Sequence, residues 1–331
     1  MLLNCSQNRN SVDRRRAPAS EQGVVLLLVV WILGLISVVI LTGAYEWRTE
    51  IKLTANFQES CQCRSLAEAG VHYALEKIVE IKLAEAAAMD SPTNFMPRAT
   101  WRGDQTPHIL EIPGGRVEVR VGDEGGKINL NLADRKILSN FFKALGYKEE
   151  TAQTLVAAIL DWRDADALTR PGGAESPYYQ RLNPPYPAKN TGFDVVEELG
   201  WVKGLGQRRL LPRLADWFTV NKDGPEININ TAPLEVLQAV GFSRSQATRI
   251  IMARQEKPFR LPNEVAAVAG AVAFQRLESL IGFETSIFFT ILAKGMVKNH
   301  KSWHTIKAVV SIDIGQPVPW AIVYWADDYP A

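Results

Sequence analysis

The chain has 331 residues, of which 47% are hydrophobic and 22% charged, and its formal net charge is +1. That balance excludes a largely disordered protein and provides no global basic field for nucleic acid. The length accommodates a membrane anchor and two folded units.

Residues 24–42, VVLLLVVWILGLISVVILT, carry no charge. A helix needs about 20 apolar residues to cross the hydrocarbon core, so the run predicts a single transmembrane helix. Arg14, Arg15 and Arg16 precede it, which directs the N-terminus to the cytoplasm and the bulk of the chain across the membrane. A cleavable secretory signal has a shorter apolar region, roughly 7–15 residues, ending at a small-residue site. Here the run passes straight into a helical pattern. No proline occurs from Tyr45 to Ala88, and Leu53, Phe57, Leu66, Gly70, Tyr73, Ala74 and Ile78 recur at three- and four-residue steps. The helix is expected to continue toward Met89, where Ser91-Pro92 stops it.

Residues 109–121 read as two short strands around Gly114-Gly115. Residues 286–297, 304–314 and 319–325 are rich in β-branched and aromatic side chains, and the short turns between them imply antiparallel pairing. Residues 128–283, between these two parts, have a helical period. The expectation is an α+β fold, with one antiparallel sheet interrupted by a large helical insertion. The boundaries are 1–23 for a leader, 24–90 for the long helix, 91–127 and 284–331 for the sheet, and 128–283 for the insertion.

The insertion echoes itself. INLNLADRKILSNFFKALG from Ile128 and ININTAPLEVLQAVG from Ile227 each set an Asn-rich turn before a helix ending on glycine. FDVVEELGWVKGLG (193–206) has a weaker counterpart in FRLPNEVAAVAG (259–270). Such repetition marks duplicated packing modules, here helix-hairpin-helix-like (SAM-like) units.

Two places in the insertion carry candidate chemistry. Gly204 and Gly206, followed by Arg208 and Arg209, have the form of a hairpin that binds phosphates through backbone N–H groups. Acids such as Glu149, Glu150, Glu197 and Glu198 offset the nearby bases, and nucleic-acid binding needs a concentrated positive patch. Structural use of the turn is therefore favoured over DNA binding. The second place is DWRDADALTRPGGAESPYY, residues 161–179. Asp161 and Asp164 share a helix face, Asp166 follows at the helix end, and Glu175 lies beyond a Pro-Gly-Gly turn. Converging carboxylates suit calcium. Arg163 and Arg170 offer the other reading, an ion-pair network with no metal, and the spacing alone leaves both open. Cys5, Cys61 and Cys63 define no disulfide framework. The four histidines are scattered, and no nucleophile or phosphate-loop motif is present, so no catalytic centre is expected.

In combination these residues resemble one family, the minor pseudopilin K of bacterial type II secretion systems. The resemblance rests on Gly23 at the leader junction, LAEAG (66–70), GGKINLN (125–131), AILDWRDAD (158–166), GAE-x-x-YY (173–179) and ININTAP (227–233). It also rests on Leu28, fifth from Val24, where most pilins carry glutamate. The resemblance implies a pilin fold with a helical insertion and cleavage between Gly23 and Val24 by prepilin peptidase. It further implies a single pass through the inner membrane with a periplasmic bulk, a place at the pseudopilus tip beside minor pseudopilins I and J, and calcium near the acidic segment. No nucleic-acid partner is expected.

Overall fold

A computed structural model describes residues 19–89, 101–206, 214–222, 224–298 and 301–329, with side chains from residue 23 to residue 87 in the first segment. The chain forms two compact units, Met1–Glu59 and Ser60–Ala331. In the first, helix α1 (Ala19–Met89) presents an exposed apolar surface from Val24 to Leu41. Among the described residues it is long and apolar enough to cross a membrane.

The second unit contains the rest of α1 and a five-stranded antiparallel sheet. Strands β1 (His108–Ile112) and β2 (Gly115–Asp123) form a hairpin. Pro113 fixes one turn residue and Gly114 takes φ 95°, which side chains resist. Strands β7 (Phe288–Val297), β8 (Trp303–Ile312) and β9 (Trp320–Ala326) complete the order β1-β2-β7-β8-β9. Alternation turns Val117, Val119, Ile291, Ala293, Ile306 and Ala308 toward one face, against Leu66, Ala67, Val71, Ala74, Leu75 and Ile78 of α1. Two glycines permit that approach. A Cβ on Gly70 would lie 2.5 Å from Val117, and one on Gly295 would lie 2.2 Å from the Cys63 carbonyl.

The sheet is left at Asp123 and rejoined at Phe288. Between them lie β3 (Ile128–Asn129), α2 (Arg135–Ala144), α3 (Glu149–Arg163), α4 (Ser176–Tyr179), α5 (Leu214–Trp217) and β4 (Phe218–Thr219). There follow β5 (Ile227–Asn228), α6 (Leu234–Val240), α7 (Arg244–Glu256), α8 (Pro262–Ala269), α9 (Ala271–Gln275) and β6 (Ile281–Gly282). These elements close around a second hydrophobic core, separate from the sheet's.

One hydrogen-bond frame occurs twice in the insertion. Strand β3 pairs in parallel with β4, and β5 with β6. The Asn131 side chain accepts from the Phe193 N–H (2.7 Å) and donates to its carbonyl (3.0 Å); Asn230 does the same with Phe259, both at 2.8 Å. Arg163 donates to the carbonyls of Leu130 and Ala133, and Arg254 to those of Ile229 and Ala232. Glu198 and Glu264 each accept two backbone N–H groups just upstream and pair with Lys189 and Lys257. The two sequence echoes thus lie at matching places in the two frames.

Sheet and insertion are clasped by Asp123, which is 2% exposed. It accepts from Gly125 N (2.9 Å), Asn228 Nδ2 (2.8 Å), Thr231 Oγ1 (2.8 Å) and Ser286 N (3.0 Å). Four donors satisfy a buried carboxylate that is otherwise costly. Burial pushes Asp123 up, and the four hydrogen bonds pull against that rise.

Candidate metal centre

Helix α3 is capped by Asp164, whose N–H closes the last turn on Leu160 at 3.1 Å. The chain then loops to Asn190 before resuming the repeated frame at Phe193. The tight return at Pro171-Gly172-Gly173 is closed by the Gly173 N–H on Arg170 O at 2.8 Å. Gly173 passes so near Asp161 that a Cβ there would sit 2.0 Å from Oδ2.

This path brings three of the four candidate acids together. Ligand oxygens of Asp164, Asp166 and Glu175 lie within 4.8 Å of one another. Asp161 is engaged elsewhere: fully buried, it accepts from Arg170 at the backbone N–H (3.2 Å) and the guanidinium (2.8 Å). Arg170 also bonds Asp164 Oδ2. Those two carboxylates hold the Arg170 guanidinium above its ordinary range. Arg163 directs its hydrogen bonds onto the Leu130 and Ala133 carbonyls; it forms no ion pair with the three grouped acids and acts on Asp164 only through its charge at longer range. The ion-pair reading therefore describes Asp161 and half of Asp164, and leaves Glu175 without a counter-charge.

Glu175 is the informative residue. It is 2% exposed, and neither carboxyl oxygen has a hydrogen-bond partner; Asp164 Oδ1 is likewise buried without one. Burial first, and then the charges of Asp161, Asp164 and Asp166, push Glu175 above the ordinary carboxylate range. A lone buried carboxyl beside like charges is unfavourable unless protonated or neutralised by a cation. Oxygen-only ligands, with one exposed acid beside two more buried ones, fit a hard cation such as calcium.

The loop has anchors of its own that sequence reading passed over. Tyr179, fully buried, packs edge-on against Trp162 (5.1 Å between centroids) and stacks on Tyr186 (5.3 Å), which meets Trp201 (5.1 Å). Lys203 donates to the carbonyls of Gly172 (3.2 Å) and Gly173 (2.9 Å). Asn190, at φ 50°, ties Asp166 O to the helix end through bonds of 2.9 and 3.0 Å. Repeated Tyr and Trp around the loop were the available signal.

The hairpin glycines have a packing role. A Cβ on Gly206 would lie 2.2 Å from Gly200 O, and one on Gly204 would lie 3.0 Å from Leu155. Arg208 and Arg209 lie outside the described residues. Gly23, Val24 and Leu28 fall within α1, with Leu28 56% exposed.

An apolar N-terminal helix, whose later turns cover one face of an antiparallel sheet split by a helical insertion, defines a pilin-like protein. Known proteins narrow the class. Residues 122–223 and 227–284 match two family models, both described as type II secretion system protein K. The chain is 30% identical over 254 residues to the type II secretion system protein K of Pseudomonas aeruginosa, covering 72% of this chain and 74% of that one. It is 27% identical over 268 residues to that of Aeromonas hydrophila, covering 72% and 78%. A solved GspK-GspI-GspJ complex from enterotoxigenic Escherichia coli has a chain of the same fold: TM-score 0.56 at 15% identity, over 78% of this chain and 96% of that one. The chain belongs to the type II secretion system protein K family, the minor pseudopilins. The two matched segments contain the two copies of the repeated frame.

Proposed function

We propose that this minor pseudopilin caps the tip of the periplasmic pseudopilus, next to minor pseudopilins I and J, and takes part in assembly for protein export. The observation that carries the reading is the large insertion in the pilin-like sheet between Asp123 and Phe288. A filament grows by head-to-tail contacts, and a bulky insertion obstructs addition of a further subunit. Leu28 agrees with this. A glutamate in lipid is expensive and persists where it has a partner, and a subunit with none above it has no use for one. The solved complex of similar fold joins GspK with GspI and GspJ, which supports the partner choice.

In this reading prepilin peptidase cuts between Gly23 and Val24. The anchor and long helix occupy 24–90, the sheet 91–127 and 284–331, and the insertion 128–283. The helix crosses the inner membrane once, with its N-terminus in the cytoplasm and its bulk in the periplasm, and the role is assembly with no reaction of its own. Asp164, Asp166 and Glu175 hold calcium, with Asp161 setting the Arg170 side of the site. The test is co-purification of the full-length protein, extracted in detergent, with minor pseudopilins I and J. A complex containing both, together with a Leu28→Glu variant that assembles no better, is the expected result. Long filaments containing this chain along their length would sink the tip assignment.

A further inference from the structure

The sheet face opposite α1 has a cavity of about 310 Å³, bounded by the insertion on its far side. Cross-strand register sets its floor. Arg120, Leu292 and Lys307 stand side by side in one row, and Glu118 and Lys294 lie opposite one another in the next. Alternate residues of one strand share a face, so these side chains point the same way. Lys127, Ala215, Asp216 and Tyr329, with Gln105, Gly122 and Thr290, complete the wall.

Four cations and two acids, Glu118 and Asp216, thus border a space whose apolar part comes from Ala215, Leu292 and Tyr329, and three of the cations are matched by glutamates. Arg120 holds Glu118 at 2.7 Å, Lys127 holds Glu124 at 2.5 Å, and Lys307 holds Glu197 at 2.6 Å. Lys294 has no carboxylate within ion-pair distance among the described residues; its ammonium lies 4.4 Å from the centroid of the Trp303 ring. Opposite Lys294, and on the same face as Lys307, Thr305 is 2% exposed and its hydroxyl has no hydrogen-bond partner. Lys127 and Lys307 are both buried, at 3% and 4% exposure. Burial, and in lesser part the charge of Lys127, lowers the Lys307 ammonium below the usual lysine range. Glu197 and Glu124 oppose both effects in part, and a further anion would add to them.

We propose that this cavity binds a carboxylate flanked by apolar groups, with Lys294 and Lys307 taking the charge and Leu292 and Tyr329 the apolar part. Its volume suits one or two side chains, such as an acidic residue of a partner protein, or a small dicarboxylate. The inference rests neither on the cation site nor on the tip assignment.

Titration calorimetry on the full chain in detergent micelles tests it with four probes: the capped tripeptide Leu-Glu-Leu, its Leu-Gln-Leu counterpart, glutarate and inorganic phosphate. The Glu tripeptide is expected to bind at least about tenfold more tightly than the Gln one, as charge-assisted bonds predict. Lys294→Gln should weaken it by a similar factor, and Leu292→Trp should block it by filling the space, both with unchanged melting temperature. A Glu tripeptide that outbinds glutarate points to a protein ligand, and the reverse order to a small carboxylate. Equal binding of the Glu and Gln tripeptides would overturn the proposal. So would phosphate matching the carboxylates, or no binding of either carboxylate probe by the wild-type protein. If Leu292→Trp misfolds, Lys294→Gln alone decides.

Discussion

The two copies of the repeated frame, 128–219 and 227–282, use the same asparagine, arginine and glutamate in the same bonds yet differ in what joins them. In the second copy the chain passes from Arg254 to Phe259 in a few residues. In the first, 29 residues lie between Arg163 and Phe193, and they include the grouped acids. In the second copy, with no such loop, the α7 residue two before the arginine is Met252, 63% exposed; in the first it is Asp161, fully buried. A scaffold that closes its own backbone bonds leaves one connection free to lengthen and acquire a site. The loop is more than decoration, because Tyr179 and Ala188 belong to the core it covers.

The comparison breaks most readily at the arginines. Arg163→Met and Arg254→Met each strand two carbonyls that the guanidinium satisfied, and each should cost about 3 kcal/mol. Denaturant unfolding of the detergent-solubilised chain checks this. If one copy loses less than half what the other loses, the frames are not energetically equivalent.

The cation distinguishes the copies next. Calcium at 100-fold above its Kd should raise stability by about 2.7 kcal/mol. Glu175→Gln should remove that increment while the second copy is untouched. The pH dependence has a definite sign. Since the folded pKa of Glu175 is raised from its ordinary 4.5, the folded state keeps a proton there that the unfolded state has lost. In chelator this contribution to stability therefore falls as pH rises from 4.5 through the raised value. Calcium competes with that proton, so the melting-temperature gain from calcium should grow over the same interval. A gain that is flat in pH would leave Glu175 outside the site.

Helix caps provide the smallest contrast. Ser243 starts α7 with a side-chain cap, its hydroxyl 3.3 Å from Gln246 N, whereas Lys148 starts α3 with none. Ser243→Ala should cost about 1 kcal/mol, and Lys148→Ser should gain somewhat less. Thermal melting of the two variants measures both. Equal and negligible shifts would mean the helix starts are held by packing alone.

Much of this was legible in advance. The uncharged run 24–42, the absence of proline to Ala88 and the alternating strands predicted α1 and the five-stranded sheet, because period and length are local properties. The echo of ININ in INLN falls at the two asparagines, Asn131 and Asn230, that make the same backbone bonds. What escaped was pairing between residues distant in sequence. Nothing near Asp123 announces that it will accept from Asn228, Thr231 and Ser286, and nothing near Arg254 foretells the Ile229 carbonyl. At the acidic segment the residue types pointed to four acids and two neutralising arginines, while the geometry grouped three acids and turned Arg163 away.

The sequence by itself determined the long apolar helix, the strands, the interruption between them and the segment rich in acids, since hydropathy, periodicity and turn residues act over a few positions. Only the tertiary structure decided which carboxylates meet. Asp161 and Asp164 share a helix face and looked equivalent. Yet the return at Gly173 delivers Arg170 to Asp161 and carries Glu175 beneath Asp164 and Asp166, with both its oxygens unpartnered. Whether a buried charge is paired depends on what the fold brings within about 4 Å of it, and no local pattern encodes that.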